Sequence, residues 1–344
     1  MRILYVGPLY DGGTCRQRMR ALEDLGHHVV AIDTLPPGAL KMAKSIFSRA
    51  LVRCGVHLDH AGVNEQIRRV TRKVLPEVVW IDKGLSVKPK TLSYVKEHAG
   101  SIIVSYSPDD MIQRHSQSSR YLAGLSQYDI HFTTKSYNVP ELRAMGAQRV
   151  SFVDNGYDRH THRPISISSE ERALFGGPVG FIGGYELDRG RQILALAQAG
   201  VPVRVWGVGW EGLRAEQPGI CIAGKSLWGE QYAVAIGSFE INLCFLRKLN
   251  RDLQTTRSIE IPACGGFMLA ERTPEHLRLF REGAEAEFFD SPQELIAKTL
   301  FYLNHPTIRK NIAAAGRQRC IDSRYDYESR MRYMLSEAIS QCAG

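Results

Sequence analysis

Arg257-Ser258-Ile259-Glu260-Ile261-Pro262-Ala263-Cys264-Gly265-Gly266-Phe267 is the stretch from which this chain is best read. Thr255 and Thr256 precede it, and either can cap the exposed N–H groups of a short helix. The helix carries one carboxylate, Glu260, and stops at Gly265-Gly266, where left-handed backbone is cheap. Phe267-Met268-Leu269-Ala270 follows as a short apolar strand. A helix start at the edge of a parallel sheet suits a phosphate; Arg257 adds charge there, and Glu260 suits a pair of sugar hydroxyls. A capped helix with Glu260 in solvent is the plainer reading of the same residues.

Outward from this stretch, the second half repeats one pattern. Pro178 to Gly184 is an apolar strand closing on a glycine pair, followed by a helical pattern from Arg189 to Gly200. Strands follow at Val201–Trp206, Gly219–Ala223, Ile241–Phe245 and Ala286–Phe289. Ser291-Pro292-Gln293-Glu294 is a capping box, and further helices are expected from Pro306 and over Tyr327–Ile339. Arg189, at a helix start beyond Gly183-Gly184, is placed to meet a phosphate or to be an ordinary surface arginine.

The first half begins the same way. Met1 to Val6 reads as a strand rather than a signal sequence and runs into a loop holding Gly12-Gly13. A helical pattern and the strand His27–Asp33 come next. The loop is not GxGxxG, which argues against a dinucleotide-dependent dehydrogenase; Gly12 and Gly13 either admit a substrate closely or form a plain turn. Strands at 78–82 and 102–106 are continuously apolar, as in a buried parallel sheet. The latter runs into Ser107-Pro108-Asp109-Asp110, two carboxylates where α/β enzymes keep their chemistry. Residues 39–53 place Lys41, Lys44, Arg49 and Arg53 beside apolar positions, as a helix resting on an anionic bilayer or as a domain helix with one edge in water.

Length and composition set the frame. A chain of 344 residues, 44% hydrophobic and 23% charged, is comfortable as two domains. The net charge of +8 is concentrated in the first half, yet no basic tail or nucleic-acid module is visible, so no nucleic-acid partner is expected. No apolar run reaches a membrane span. The seven cysteines lack CxxC spacing, which points away from zinc and disulfides and toward a cytoplasmic location. The polar stretch from Asn155 to Gly177 reads as a linker. The expected plan is an N-terminal Rossmann-like domain over 1–158, a linker over 159–176, a second Rossmann-like domain over 177–326, and a C-terminal helix over 327–344 packing back toward the first domain.

With Arg257 to Gly266, Glu285 to Phe289, Ser291 to Leu295 and Tyr302 to Gly316 in place, the second half resembles the glycosyltransferase group 1 domain, in its spore maturation CgeB-like branch. The resemblance implies a GT-B fold of two tandem Rossmann-like domains with a cleft between them. It also implies a metal-independent and cofactor-free reaction, and it favours retention at the transferred sugar. The second domain would hold a nucleotide-sugar donor and the first an unidentified acceptor, with Gly12 and Gly13 on the acceptor side. Glu260 falls on the second of two acidic positions eight apart, the one that grips the donor ribose, and Asp252 stands at the first in place of the usual Glu. Of the Arg and Lys that such enzymes hold on the diphosphate, Gly184 stands at the Arg place and Arg189 at the Lys place. Arg257 or Lys248 would supply the missing charge, and Lys225 lies where the base-binding loop is expected. Asp109 or Asp110 would orient the sugar or steady a cationic centre in a retaining reaction, or act as base in an inverting one. A hexosyltransferase is the leading expectation. A nucleotide-sugar epimerase or hydrolase, and a binding module that has lost catalysis, share the fold.

Overall fold

The computed structural model describes residues 1–43, 45–53, 55–213 and 218–340. Its chain divides into two compact units, one of Met1–Asp154 with Tyr327–Gly344 and one of Asn155–Asp326.

In the first unit β1 (Arg2–Gly7), α1 (Thr14–Asp24) and β2 (His28–Asp33) are followed by three helices, α2 (Pro37–Ala43), α3 (Ile46–Arg53) and α4 (Val63–Val74). Then come β3 (Val78–Asp82), α5 (Pro89–Ala99), β4 (Ile102–Ser107), α6 (Ser119–Ala123), β5 (Ile130–Thr133), α7 (Asn138–Ala144) and β6 (Val150–Phe152). The six strands are parallel in the order β2-β1-β3-β4-β5-β6. Alternate residues of each strand serve opposite faces, so both faces must be covered. Leu4, Val6 and Val79 pack on one side with Ile67 of α4 and Leu92 of α5. Ile3, Tyr5 and Trp80 pack on the other with Leu22 of α1.

The second unit begins with α8 (Ser169–Phe175), then β7 (Gly177–Ile182), α9 (Leu187–Gln198), β8 (Val203–Trp206), β9 (Ile220–Ile222), α10 (Gly229–Ser238) and β10 (Phe239–Cys244). It continues with α11 (Arg257–Ala263), β11 (Met268–Glu271), α12 (Pro274–Leu279), β12 (Glu287–Phe289), α13 (Pro292–Asn304) and α14 (Pro306–Asp322). Its parallel order is β9-β8-β7-β10-β11-β12, the order of dinucleotide-binding sheets, with the switch point between β7 and β10. The last helix, α15 (Tyr327–Ser340), belongs to the first unit, where Met331, Met334 and Leu335 join Tyr5 and Trp80.

Several expectations need correction. The stretch 159–176 is not a bare linker: it lies in the second unit and forms α8, whose Ser168–Glu171 capping box is complete. The single helix read over 39–53 is two, because the Ser45 hydroxyl accepts from the Ser48 N–H and starts a new helix. Lys44 lies outside the described residues, as do the side chains of Arg49 and Arg53 and the residues Cys54 and Cys342. Neither Thr255 nor Thr256 caps α11; the Ser258 hydroxyl takes the Thr255 N–H instead and also meets His276 Nε2 at 2.7 Å. Cys15, Cys244, Cys264 and Cys320 are buried free thiols, and Cys221 is an exposed one. Among the described residues no helix is long and apolar enough to cross a membrane.

Candidate functional site

In the second unit β7 delivers Gly183 and Gly184 to the switch point, where open α/β sheets leave a crevice. Gly207, at the end of β8, approaches so closely that a Cβ there would stand 2.0 Å from the Gly183 oxygen. Two arginines meet over the Phe181 ring beside this loop. Arg189, in the first turn of α9, and Arg257, at the start of α11, each hold the guanidinium carbon 5.6 Å from the ring centroid. Arg189 donates to the Gly184 oxygen at 3.0 Å, and Arg257 to the Phe245 oxygen at 3.4 Å. The Nε atoms of both are buried without a hydrogen-bond partner. Burial, and then the like charge of Arg257, lowers the Arg189 pKa to about 10. A buried Arg189 and a half-buried Arg257, like charges each with an unused Nε donor, make an environment that an anion would relieve.

The residues around the pair divide into those sequence reasoning named and those it missed. Arg247 was missed; it reaches Glu186 at 2.9 Å, and Arg189 lies 3.7 Å from the same carboxylate. Lys248, the other cation named for this place, is ion-paired with Glu271. Asp252 accepts from Asn250 at 2.7 Å and acts on the Arg189 charge, so it belongs to the cluster. Lys225 stands apart, its ammonium 5.6 Å from the Trp206 ring centroid. Gly265, at φ 79°, ends α11 in the left-handed region that favours glycine.

Glu260 faces inward rather than solvent, at 6% exposure. Tyr232 donates to its Oε2 at 2.8 Å, and His162 Nε2 stands 3.8 Å from its Oε1. Burial first, and then Glu260, raises the Tyr232 pKa well above the ordinary phenol value, so the phenol stays a donor. The Asp158 N–H donates to His162 Nδ1 at 3.0 Å, which leaves the ring proton on Nε2, facing Glu260. Tyr232 and His162 thus hold the carboxylate in place, a role that no local sequence signal announces.

In the first unit Gly12, at φ 75°, and Gly13, whose Cβ would stand 2.8 Å from the Tyr10 ring, make a tight turn into α1. The adjacent aspartates part company. Asp109 is partly exposed and ion-paired with Lys83, whereas Asp110 is fully buried and accepts from Asn138 Nδ2 at 2.9 Å. Asp110 therefore anchors the start of α7, and the reachable carboxylate is Asp109. Lys83 follows β3 at φ 67°, in the left-handed region uncommon for a side-chain-bearing residue. Asp82 before it takes Arg18 Nη2 at 2.6 Å, Arg18 Nε at 3.0 Å and the Tyr5 hydroxyl at 2.9 Å, all buried.

With this geometry in view, residues 189–336 match the family model described as glycosyl transferase-like. A search of curated proteins finds no match. Among solved structures, sucrose-phosphate synthase from Thermosynechococcus elongatus is 14% identical with a TM-score of 0.70, over 100% of this chain and 99% of that one. HepE from Anabaena, in complex with UDP and glucose, is 14% identical with a TM-score of 0.63, over 99% and 100%. A putative UDP-N-acetylglucosamine 2-epimerase from Listeria monocytogenes is 12% identical with a TM-score of 0.61, over 99% and 96%. The fold is that of these GT-B structures, and within the second half residues 189–336 are what match the glycosyl transferase-like model.

Proposed function

We propose that the chain is a glycosyltransferase that draws a hexosyl group from a nucleotide-diphosphate sugar, with UDP the nucleotide to try first. The observation that carries this reading is the pair Arg189 and Arg257, each with a buried and unused Nε donor beside Gly183 at the switch point. The family match over 189–336 and the UDP and glucose in the HepE structure support it. The likeness to the CgeB-like branch belongs to the same reading.

On this reading Arg189 and Arg257 take the diphosphate and stabilise the charge it gains as it leaves, the work of preorganised donors. Charge neutralisation by arginine is also why we read the reaction as metal-independent and free of cofactor. Glu260, held by Tyr232 and His162, grips sugar hydroxyls of the donor. The acceptor oxygen bonds to the anomeric carbon, the bond from that carbon to the diphosphate breaks, and the electron pair leaves with the nucleotide. The hydroxyl proton passes to the departing diphosphate in a retaining reaction, the outcome we favour, with Asp109 steadying the cationic sugar. A cytoplasmic location completes the proposal.

Turnover of UDP-sugars, measured as UDP release with and without acceptor extracts, tests the reading; release that ignores acceptor would instead favour the epimerase or hydrolase on the shared fold. Glu260→Gln keeps the shape of the side chain and is expected to weaken UDP-sugar binding by about tenfold or more, since hydrogen bonds to charged groups are worth roughly 1.5–3 kcal/mol. Calorimetric titration checks it, and undiminished affinity would count against the role of Glu260. Asp109→Asn is expected to lower kcat by about 100-fold with donor affinity retained, in the range of preorganised electrostatic groups. Equal loss in kcat and donor binding would remove Asp109 from the chemistry.

A further inference from the structure

The first unit contains a cavity of about 160 Å³ at the carboxyl ends of β1, β2 and β3, where open α/β sheets receive ligands. Its apolar walls come from Pro8, Leu35, Ala43, Val52, Leu58 and Leu85. The polar groups lining it are mostly spoken for. Asp82 Oδ2 is taken by Arg18 and Tyr5. Asp59 accepts from the backbone of Val63 and Asn64 at the start of α4. Ser48 and His60 bond each other at 2.9 Å. Three groups still point to a ligand, the first being Asp82 Oδ1, buried with no hydrogen-bond partner. His57 Nε2 is buried with no hydrogen-bond partner, and Lys83, on its left-handed backbone, carries the partly exposed Asp109.

We infer that this cavity binds the acceptor, and that the acceptor is an apolar alcohol, an alkyl or aryl body with a hydroxyl directed toward Lys83 and Asp109. A sugar acceptor carries hydroxyls on every side, and against these walls most would lose their hydrogen-bond partners. An apolar body leaves none unpaired and meets the wall residues directly. Left-handed backbone at a residue other than glycine persists where surrounding structure holds it, and here it sets the Lys83 ammonium at the polar end of the cavity. Met42, Ile46 and Phe47, exposed on the same two helices that supply Ala43, Ser48 and Val52, extend the apolar surface for a longer chain. The role as acceptor rests on the glycosyltransferase reading; the binding does not.

The experiment uses the purified chain with 4-methylumbelliferone and 1-octanol as probes, glucose as the polar contrast, phosphatidylglycerol vesicles as the membrane contrast, and UDP in parallel. Thermal shift and ligand-observed NMR are expected to show both alcohols binding and glucose not. Ala43→Trp, which fills the cavity, should weaken the alcohols at least tenfold and leave UDP affinity unchanged; Val52→Phe serves if the first variant does not fold. Alcohol binding untouched by both substitutions would overturn the inference, as would glucose binding in the alcohols' place or vesicle binding with no alcohol binding. UDP binding without alcohol binding sinks this inference and spares the donor reading. Alcohol binding without UDP binding overturns the donor reading and the acceptor role together.

Discussion

Arg189→Met is expected to make the ligand-free protein more stable and to weaken UDP binding by about 10- to 100-fold. In the folded chain burial and Arg257 bring the Arg189 pKa from 12.5 to about 10. A base whose pKa is lowered on folding costs stability while it is protonated. The cost is complete below about pH 10 and fades as pH rises toward 12.5. At neutral pH it amounts to about 3 kcal/mol. Methionine fills similar space without charge, and forfeits the hydrogen bond to Gly184 and the contact with Phe181, together roughly 1–2 kcal/mol. The net gain is therefore about 1–2 kcal/mol, a rise of roughly 2–8 °C in the Tm of the second unit. The loss of UDP affinity follows from removing one charge-assisted contact. Calorimetry of the free and UDP-bound protein reads both effects; a fall in Tm with unaltered UDP affinity would show that Arg189 is structural.

The second large effect concerns the first unit. Asp82→Ala should destabilise it by about 3–5 kcal/mol, because Arg18 keeps its charge at about 1% exposure with its main partner gone. The Tyr5 hydroxyl loses its acceptor as well. Hydrogen exchange in β1 and β3, resolved by mass spectrometry, isolates this unit from the other. Replacing Arg18 and Asp82 together with methionine and leucine should recover much of the loss, as apolar replacements of buried pairs do. Unchanged protection in Asp82→Ala would mean that the pair carries little of the unit's stability.

The strands were legible because a sheet covered on both faces needs continuous apolar runs such as Val78-Val79-Trp80-Ile81. The helix α8 hid inside a polar stretch, though its Ser168–Glu171 capping box was written there. In the site, Glu260, Arg189 and Arg257 could be named because each follows a glycine loop or starts a helix, features that stand in consecutive residues. Arg247, Tyr232, His162 and Lys83 could not. Arg247 matters only because Glu186, 61 residues earlier, returns beside it. Tyr232 and His162 converge on Glu260 from separate segments. Asp109 and Asp110 look equivalent in the sequence; the Asn138 contact that buries one of them comes from the start of α7.

Because Tyr327–Ser340 completes the apolar face that Tyr5 and Trp80 begin, the amino-terminal lobe must wait until that helix has been made. The carboxyl-terminal lobe emerges whole before that helix leaves the ribosome, so the later-synthesised lobe can close first, against the usual order in which domains fold as they appear. Until that helix emerges, the aromatic surface around Trp80 stays incompletely covered, and nascent chains halted before residue 327 are where chaperone dependence would concentrate.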